Sequence, residues 1–361
     1  MSSYSSPCLV WTPMKDEVGG NVEYPSKIAR AIDAPVYTFS RPDSLEGRFH
    51  EFREHSFFES VMLSSPLHEL YVNTQYSTWK APAEHDVIIT RGPKAIHTIQ
   101  RLDQDHIHLF DGGYRGLFLH KDEYENFHSK SGPARFGLGL FRHGMRSMVQ
   151  SSLNMADTVV ACSEWAERTV ESLFNRKVDE IIYPPVPVSK YSPKSSTTSY
   201  GEFYLYMANI GTLYRTEEMI HAFNELPYKL LIAGDGSERD RFERMANENI
   251  EFLGYVTGRQ KKALLASAKA LVNPTNHSFG RVVIESLASG RPVISLDRGY
   301  PPYIIDHGEN GILYPEGVEN LIAAIETFEE SGVDSSPDEF RSLAEQYSYS
   351  SVEERWRDLI Y

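Results

Sequence analysis

The stretch that most constrains this 361-residue chain is residues 270–296. An apolar run, Ala270-Leu271-Val272, leads into a polar turn from Asn273 to Ser278. From Phe279 the apolar spacing becomes helical, with Val283, Leu287 and Ala288 on one side. Gly290 stands where a helix C-cap is expected, and Pro292 blocks continuation. A second apolar run, Val293-Ile294-Ser295-Leu296, follows at once. Strand, loop, helix, strand is a parallel crossover unit. A chain built from such units folds as an α/β protein with helices covering both faces of parallel sheets.

The same alternation runs through the rest of the sequence. In the first half, residues 7–11, 34–39, 86–90, 106–110 and 158–162 read as strands, with residues 22–32 helical. In the second half, residues 203–208, 229–233, 250–253, 270–273 and 293–296 read as strands, with helices over 217–226 and 238–248. Tyr191 to Glu202 is rich in Ser, Thr and Pro and reads as an interdomain linker. The length calls for two domains. We therefore expect one domain over 1–190 and another over 202–338, with a last helix over 339–361 packing back on the first.

Composition narrows the partners. A net charge of −14 disfavours duplex nucleic acid. The two cysteines, Cys8 and Cys162, form no disulfide framework or zinc spacing and read as small core residues. No basic leader precedes the first apolar run, and no run is long enough to span a bilayer. The expectation is a cytoplasmic protein with room for peripheral contact at the inner membrane face. For that contact, residues 135–155 offer Arg135, Arg142 and Arg146 among Phe136, Phe141 and Met145. Such a helix equally suits packing against its own domain.

The helix that begins at Gly280 offers unmatched backbone N–H groups and the positive end of its dipole, which suits a phosphate. Glu285 lies about a turn and a half further in, where a carboxylate can accept bonds from ligand hydroxyls. The same pattern also fits an ordinary crossover helix with Gly280 as a tight turn. In the first half, Gly19 and Gly20 follow a strand, as ligand loops and plain turns both do. Asp111 follows another strand, where a carboxylate can orient a hydroxyl or cap the next turn.

Phe279-Gly280, Glu285, Ala288, Gly290 and Pro292-Val293-Ile294 together resemble the signature of retaining GT-B glycosyltransferases, in the large family that includes sucrose synthases and mannosyltransferases. The nearest branch is mannosyltransferase-like and builds lipid-linked or surface polysaccharides. Tyr183-Pro184-Pro185-Val186 resembles that branch's strand end before the linker. The resemblance implies two Rossmann-like doubly wound domains facing across a cleft. It implies a GDP- or UDP-linked sugar as donor, a glycan or lipid-linked acceptor, and no metal or other cofactor. The acceptor is expected on the first domain and the donor on the second.

Carried over residue by residue, the resemblance gives Glu285 the ribose hydroxyls. It gives Ser278, Phe279, Gly280, Arg281 and Val282 the donor phosphates and sugar. The loop at Tyr255 and Val256 falls near the base, Gly19 and Gly20 near the diphosphate, and Arg115 near the acceptor. His277 occupies the place of a Glu that contacts the transferred sugar, and Asp111 the place of a His; both are assigned to catalysis. Asn209 stands at a family Arg and Tyr214 at a family Lys, with Arg215 adjacent. Arg215 and Arg281 are therefore expected to replace the missing cations. Tyr300 and Tyr303 stand where the family shows a second glycine and a Glu. A non-catalytic GT-B partner of an active transferase, or an epimerase of the same shape, fits this pattern as well.

Overall fold

The computed structural model describes residues 4–11, 20–38, 49–51, 82, 84–91, 104–112, 146–194 and 198–361. It divides into two compact units, Met1–Pro185 with Val352–Tyr361, and Val186–Ser351.

The first unit is built on strands β1 (Pro7–Trp11), β2 (Val36–Thr38), β3 (Phe49–Glu51), β4 (Val87–Arg91), β5 (Asp105–Phe110), β6 (Thr158–Ala161) and β7 (Glu180–Ile181). Their order is β3-β2-β1-β4-β5-β6-β7, and every pairing is parallel. One face is covered by α1 (Gly20–Ala31), whose Ile28, with Ile32 just beyond its end, packs with Leu9, Ile89, Ile107 and Leu109. Val352, Trp356 and Ile360 join the same cluster from the last helix of the chain. The other face takes a helix over 146–155 and α2 (Glu164–Phe174), through Val149, Leu153, Ala166 and Val170. So residues 146–155 pack on their own unit, as one of the two expectations had it. Residues 135–145 lie outside the described residues. Local signals fix α2: Ser163 caps its start by accepting from the Ala166 N–H at 3.1 Å, and Asn175 ends it in the left-handed region at φ 48°.

A buried polar group sits in the middle of this sheet. Thr90 Oγ1 lies 2.7 Å from His106 Nε2 and 3.0 Å from His108 Nδ1. All three side chains are buried. Burial pushes His106 down from 6.5 to about 4, only partly offset by the Met155 backbone and Asp157. Burial, and then the neighbouring His106, push His108 down to about 3.

The second unit repeats the plan with β8 (Tyr204–Met207), β9 (Leu230–Ala233), β10 (Ile250–Gly254), β11 (Leu271–Asn273), β12 (Val293–Leu296) and β13 (Gly311–Tyr314). The order is β10-β9-β8-β11-β12-β13, again parallel throughout. Its helices are α3 (Thr216–Glu225), α4 (Arg239–Glu243), α5 (Gly258–Ser267), α6 (Arg281–Ala288), α7 (Val318–Ser331) and α8 (Pro337–Ala344). One core gathers Tyr204, Tyr206, Phe223, Ile232 and Phe242 with Leu321 and Ile325. The chain passes back to the first unit within α9 (Tyr349–Ile360), at Val352.

Strand β13 falls in a segment whose sequence suggests only a structural loop; its four residues pair in register with β12. Strand β3 has no apolar run to announce it. The segment expected as a linker is partly built into the second unit. Tyr191 is buried, and a Cβ at Gly290 would come within 2.6 Å of Pro193 Cγ, so this segment packs on the end of α6. Among the described residues, no helix is long and apolar enough to cross a membrane.

Candidate functional site

In the second sheet the chain winds from β8 outward to β10, then returns past β8 to β11 and on to β13. The strand order thus reverses between β8 and β11. In an open parallel sheet the loops beyond the carboxyl ends of two such strands part and leave a crevice for ligand. The β8 loop carries Asn209, Tyr214 and Arg215; the β11 loop carries His277, Ser278, Phe279 and Gly280. Thr275 Oγ1 donates to the Tyr214 carbonyl at 3.2 Å and ties the two loops together. Asn209 Nδ2 donates to the Tyr214 hydroxyl at 3.0 Å, and Asn209 itself is exposed.

The β8 loop is held from the other side by glycine. A Cβ at Gly234 would lie 1.8 Å from the Ala208 carbonyl oxygen, and one at Gly236 would lie 2.0 Å from that of Ile210. Ile210 N–H donates to the Asp235 carbonyl at 3.0 Å. Residues 208–210 therefore rest directly on the backbone after β9.

Gly280 forms the N-cap of α6 at φ 76°, ψ 64°, a conformation that costs an L-residue with a side chain. Across the turn, Gly299 at φ 77° lies so close to residues 276–277 that a Cβ would fall 2.6 Å from the His277 carbonyl oxygen. Tyr300 N–H donates to that same carbonyl at 2.8 Å. The His277 backbone is thereby fixed, and its side chain is buried. Tyr300, which departs from the family's glycine, is buried. Its ring stacks on Phe279, centroids 5.2 Å apart, and its hydroxyl meets that of Tyr347 at 2.5 Å. Phe279 is accordingly committed to packing through its side chain, and only its backbone is placed to meet a ligand.

Glu285, at the middle of α6, is 4% exposed. Lys261 Nζ, from α5, stands 2.6 Å from its Oε2. The pair is a close charge contact to a buried carboxylate. The Tyr191 hydroxyl faces the same carboxylate; burial first, then Glu285, push its pKa upward. Lys261 was missed by the sequence reading, because nothing local links it to a residue 24 positions on.

Arg215, expected as a phosphate ligand, is paired with two carboxylates. It takes the left-handed N-cap of α3 at φ 54°. Its Nη1 lies 2.5 Å from Glu218 Oε2, and its Nη2 pairs with Glu316. Burial opposes its charge, but the Glu316 and Glu218 carboxylates outweigh it and hold the pKa above the ordinary value. Glu316 is shared with Arg298 at 2.8 Å. The cation nearest the start of α6 by chain position is therefore Arg281, its first residue. In the loop after β10, Tyr255 is 69% exposed and Val256 is buried.

In the first unit Gly20 opens α1, and Asp111 follows β5. Arg91 Nε donates to Asp111 Oδ2, with both side chains largely buried. The strand register that sets Arg91 beside Leu109 brings it onto the face that Asp111 shares two residues later. Gly19 and Arg115 lie outside the described residues.

Residues 189–347 match the family model of glycosyl transferases group 1, a segment that lies within the second unit. The GDP-mannose-dependent alpha-mannosyltransferase of Mycobacterium tuberculosis is 38% identical over 90 residues, 25% of this chain and 24% of that protein. The first curated relatives are matched over 26%, 50% and 34% of their own length, so the chain spans about a quarter to a half of each. Solved structures match more fully at low identity. Sucrose-phosphate synthase from Thermosynechococcus elongatus has a TM-score of 0.74 at 15% identity, covering 98% of both chains. Anabaena HepE in complex with UDP-glucose has a TM-score of 0.67 at 16% identity, also covering 98% of both. The fold is that of these two-domain GT-B proteins.

Proposed function

We infer that this chain, with its glycosyl transferases group 1 domain, moves a sugar from a nucleotide-sugar donor to a hydroxyl-bearing acceptor. One observation carries the reading. At the strand-order reversal of the second sheet, a helix starts at a left-handed glycine, and the buried carboxylate of Glu285 lies a turn and a half along it. The helix start suits a diphosphate, and Glu285 suits ribose hydroxyls.

In this reading Arg281 and the first N–H groups of α6 neutralise the diphosphate as it leaves, which lowers the barrier where negative charge develops. The acceptor oxygen bonds to the sugar's anomeric carbon as the bond from that carbon to phosphate breaks. The acceptor attacks from the face that the phosphate leaves, so configuration is retained; its proton passes to that phosphate, and the reading invokes no metal. His277 contacts the sugar; Asp111, held by Arg91, orients the acceptor hydroxyl, and the resemblance gives Arg115 to the acceptor as well. Two donors are supported to different degrees: the HepE complex holds UDP-glucose, and the mycobacterial relative is named for GDP-mannose. The acceptor is a glycan or a lipid-linked sugar, and the latter would bring the protein to the membrane surface.

The test is thermal stabilisation by UDP, UDP-glucose, GDP and GDP-mannose, followed by product analysis with and without EDTA. A ligand of the folded state raises the melting temperature by mass action. Failure of all four to stabilise the protein would count against a donor site. Arg281→Ala is expected to weaken donor binding about tenfold or more, the loss of a charged hydrogen bond; unchanged affinity removes Arg281 from the site. A second reading, a non-catalytic binding partner, gains from one fact: Arg215 is already held by two carboxylates. Binding without transfer or donor hydrolysis would favour it.

A further inference from the structure

Glu285 presents a physical problem that the donor reading leaves open. A carboxylate 4% exposed has lost nearly all its water, and an uncompensated buried charge is strongly unfavourable. A ligand hydroxyl cannot be the compensation, because the charge must be balanced before any ligand arrives. The balancing group must also leave an oxygen lone pair for that ligand. A tightly aligned, bidentate partner would satisfy the charge and close the site at once.

Lys261 meets both conditions. It comes from α5, a separate helix, and its Nζ stands 2.6 Å from Oε2. At that distance the ammonium balances the carboxylate's charge through one oxygen. Its side chain is 28% exposed, so it can keep two of its three N–H donors toward water. On the other flank, Tyr191 is buried and its hydroxyl faces the same carboxylate. The segment carrying Tyr191 is pinned on α6 at Gly290, where a Cβ would meet Pro193 at 2.6 Å and Pro337 at 3.0 Å.

We propose that Lys261 is a positioning residue for the donor, which balances the charge of the buried Glu285 carboxylate and holds it in place for a ligand hydroxyl. It acts through Glu285 and does not itself contact the donor. Donor affinity thus depends on a pair contributed by two helices, α5 and α6. The proposal rests on the reading of Glu285 as the hydroxyl-binding carboxylate.

The experiment is calorimetric titration of the full chain with UDP and UDP-glucose, and with GDP and GDP-mannose, alongside the melting temperature of each variant. Lys261→Met and Glu285→Gln are each expected to weaken binding about tenfold or more. Lys261→Arg restores a cation and is expected to bind within about threefold of the unchanged protein, which a loss of packing alone would not produce. In a Glu285→Gln background, Lys261→Met is expected to add no further loss, since the two act as one unit. Should Lys261→Met not fold, Lys261→Gln, which keeps a polar side chain of similar length, takes its place in the cycle. Unchanged affinity in the Lys261 variant, or losses that simply add, would overturn the proposal while leaving the donor reading intact. Absence of binding by the unchanged protein would overturn both.

Discussion

Lowering the pH from 7 to 5 is expected to weaken the first unit by about 4 kcal/mol, roughly 2 kcal/mol for each of His106 and His108. The sign follows from the protons. In the unfolded chain both imidazoles titrate near 6.5; in the folded unit burial pushes them down to about 4 and about 3. Below 6.5 the unfolded state takes up protons that the folded state refuses. Stability is therefore full above 6.5 and falls as the pH drops toward the folded values. The geometry reinforces the refusal. Thr90 has one hydroxyl proton to share between two ring nitrogens at 2.7 and 3.0 Å. It can donate to one ring and accept from the other, but two imidazolium rings would leave that proton facing only donors. A loss of this size is a large part of the 5–15 kcal/mol that holds a domain together. All four tryptophans, Trp11, Trp79, Trp165 and Trp356, fall within the residues of the first unit. Urea unfolding followed by tryptophan fluorescence at pH 7 and pH 5 therefore reads this unit selectively. Equal midpoints at the two pH values would show that the pair is not held neutral.

Gly234→Ala is expected to destabilise the second unit by roughly 3 kcal/mol, at the upper end of overpacking costs, and to abolish nucleotide binding. The added methyl would lie 1.8 Å from the Ala208 carbonyl oxygen and 2.9 Å from its carbon. Both are backbone atoms, so no side chain can swing aside. The β8 loop must lift, and with it Asn209 and its bond to Tyr214. Gly201→Ala is the control: at φ 75° with nothing within 4 Å, it should cost only about 1 kcal/mol of backbone strain. Chemical denaturation of both variants, with UDP titration on the folded fraction, separates the two effects. A Gly234→Ala protein as stable as the control would mean that the two loops are not in register as described.

Much of the architecture was readable in advance because it depends on short-range patterns. Residues 7–10, 159–161 and 293–296 lie buried in strands, since these runs are apolar on both faces. The break between Ala288 and Val293 followed from Gly290 and Pro292, whose backbone limits act within a few residues. What escaped detection had no local pattern. Strand β13 is only Gly311–Tyr314 and becomes a strand by pairing with β12. Tyr191 sits in a Ser- and Pro-rich stretch that reads as linker, yet it is buried.

The site divides along the same line. Gly280 and Glu285 are fixed relative to each other by the helix repeat, so their spacing could be read from the string alone. The partners of the charged groups could not be. Lys261 reaches Glu285, Arg91 reaches Asp111, and Glu316 reaches Arg215 only because the sheet order and helix packing bring distant segments together. Backbone preferences are decided within a few residues, whereas the neutralisation of a buried charge depends on which other charges the folded chain places within a few ångströms.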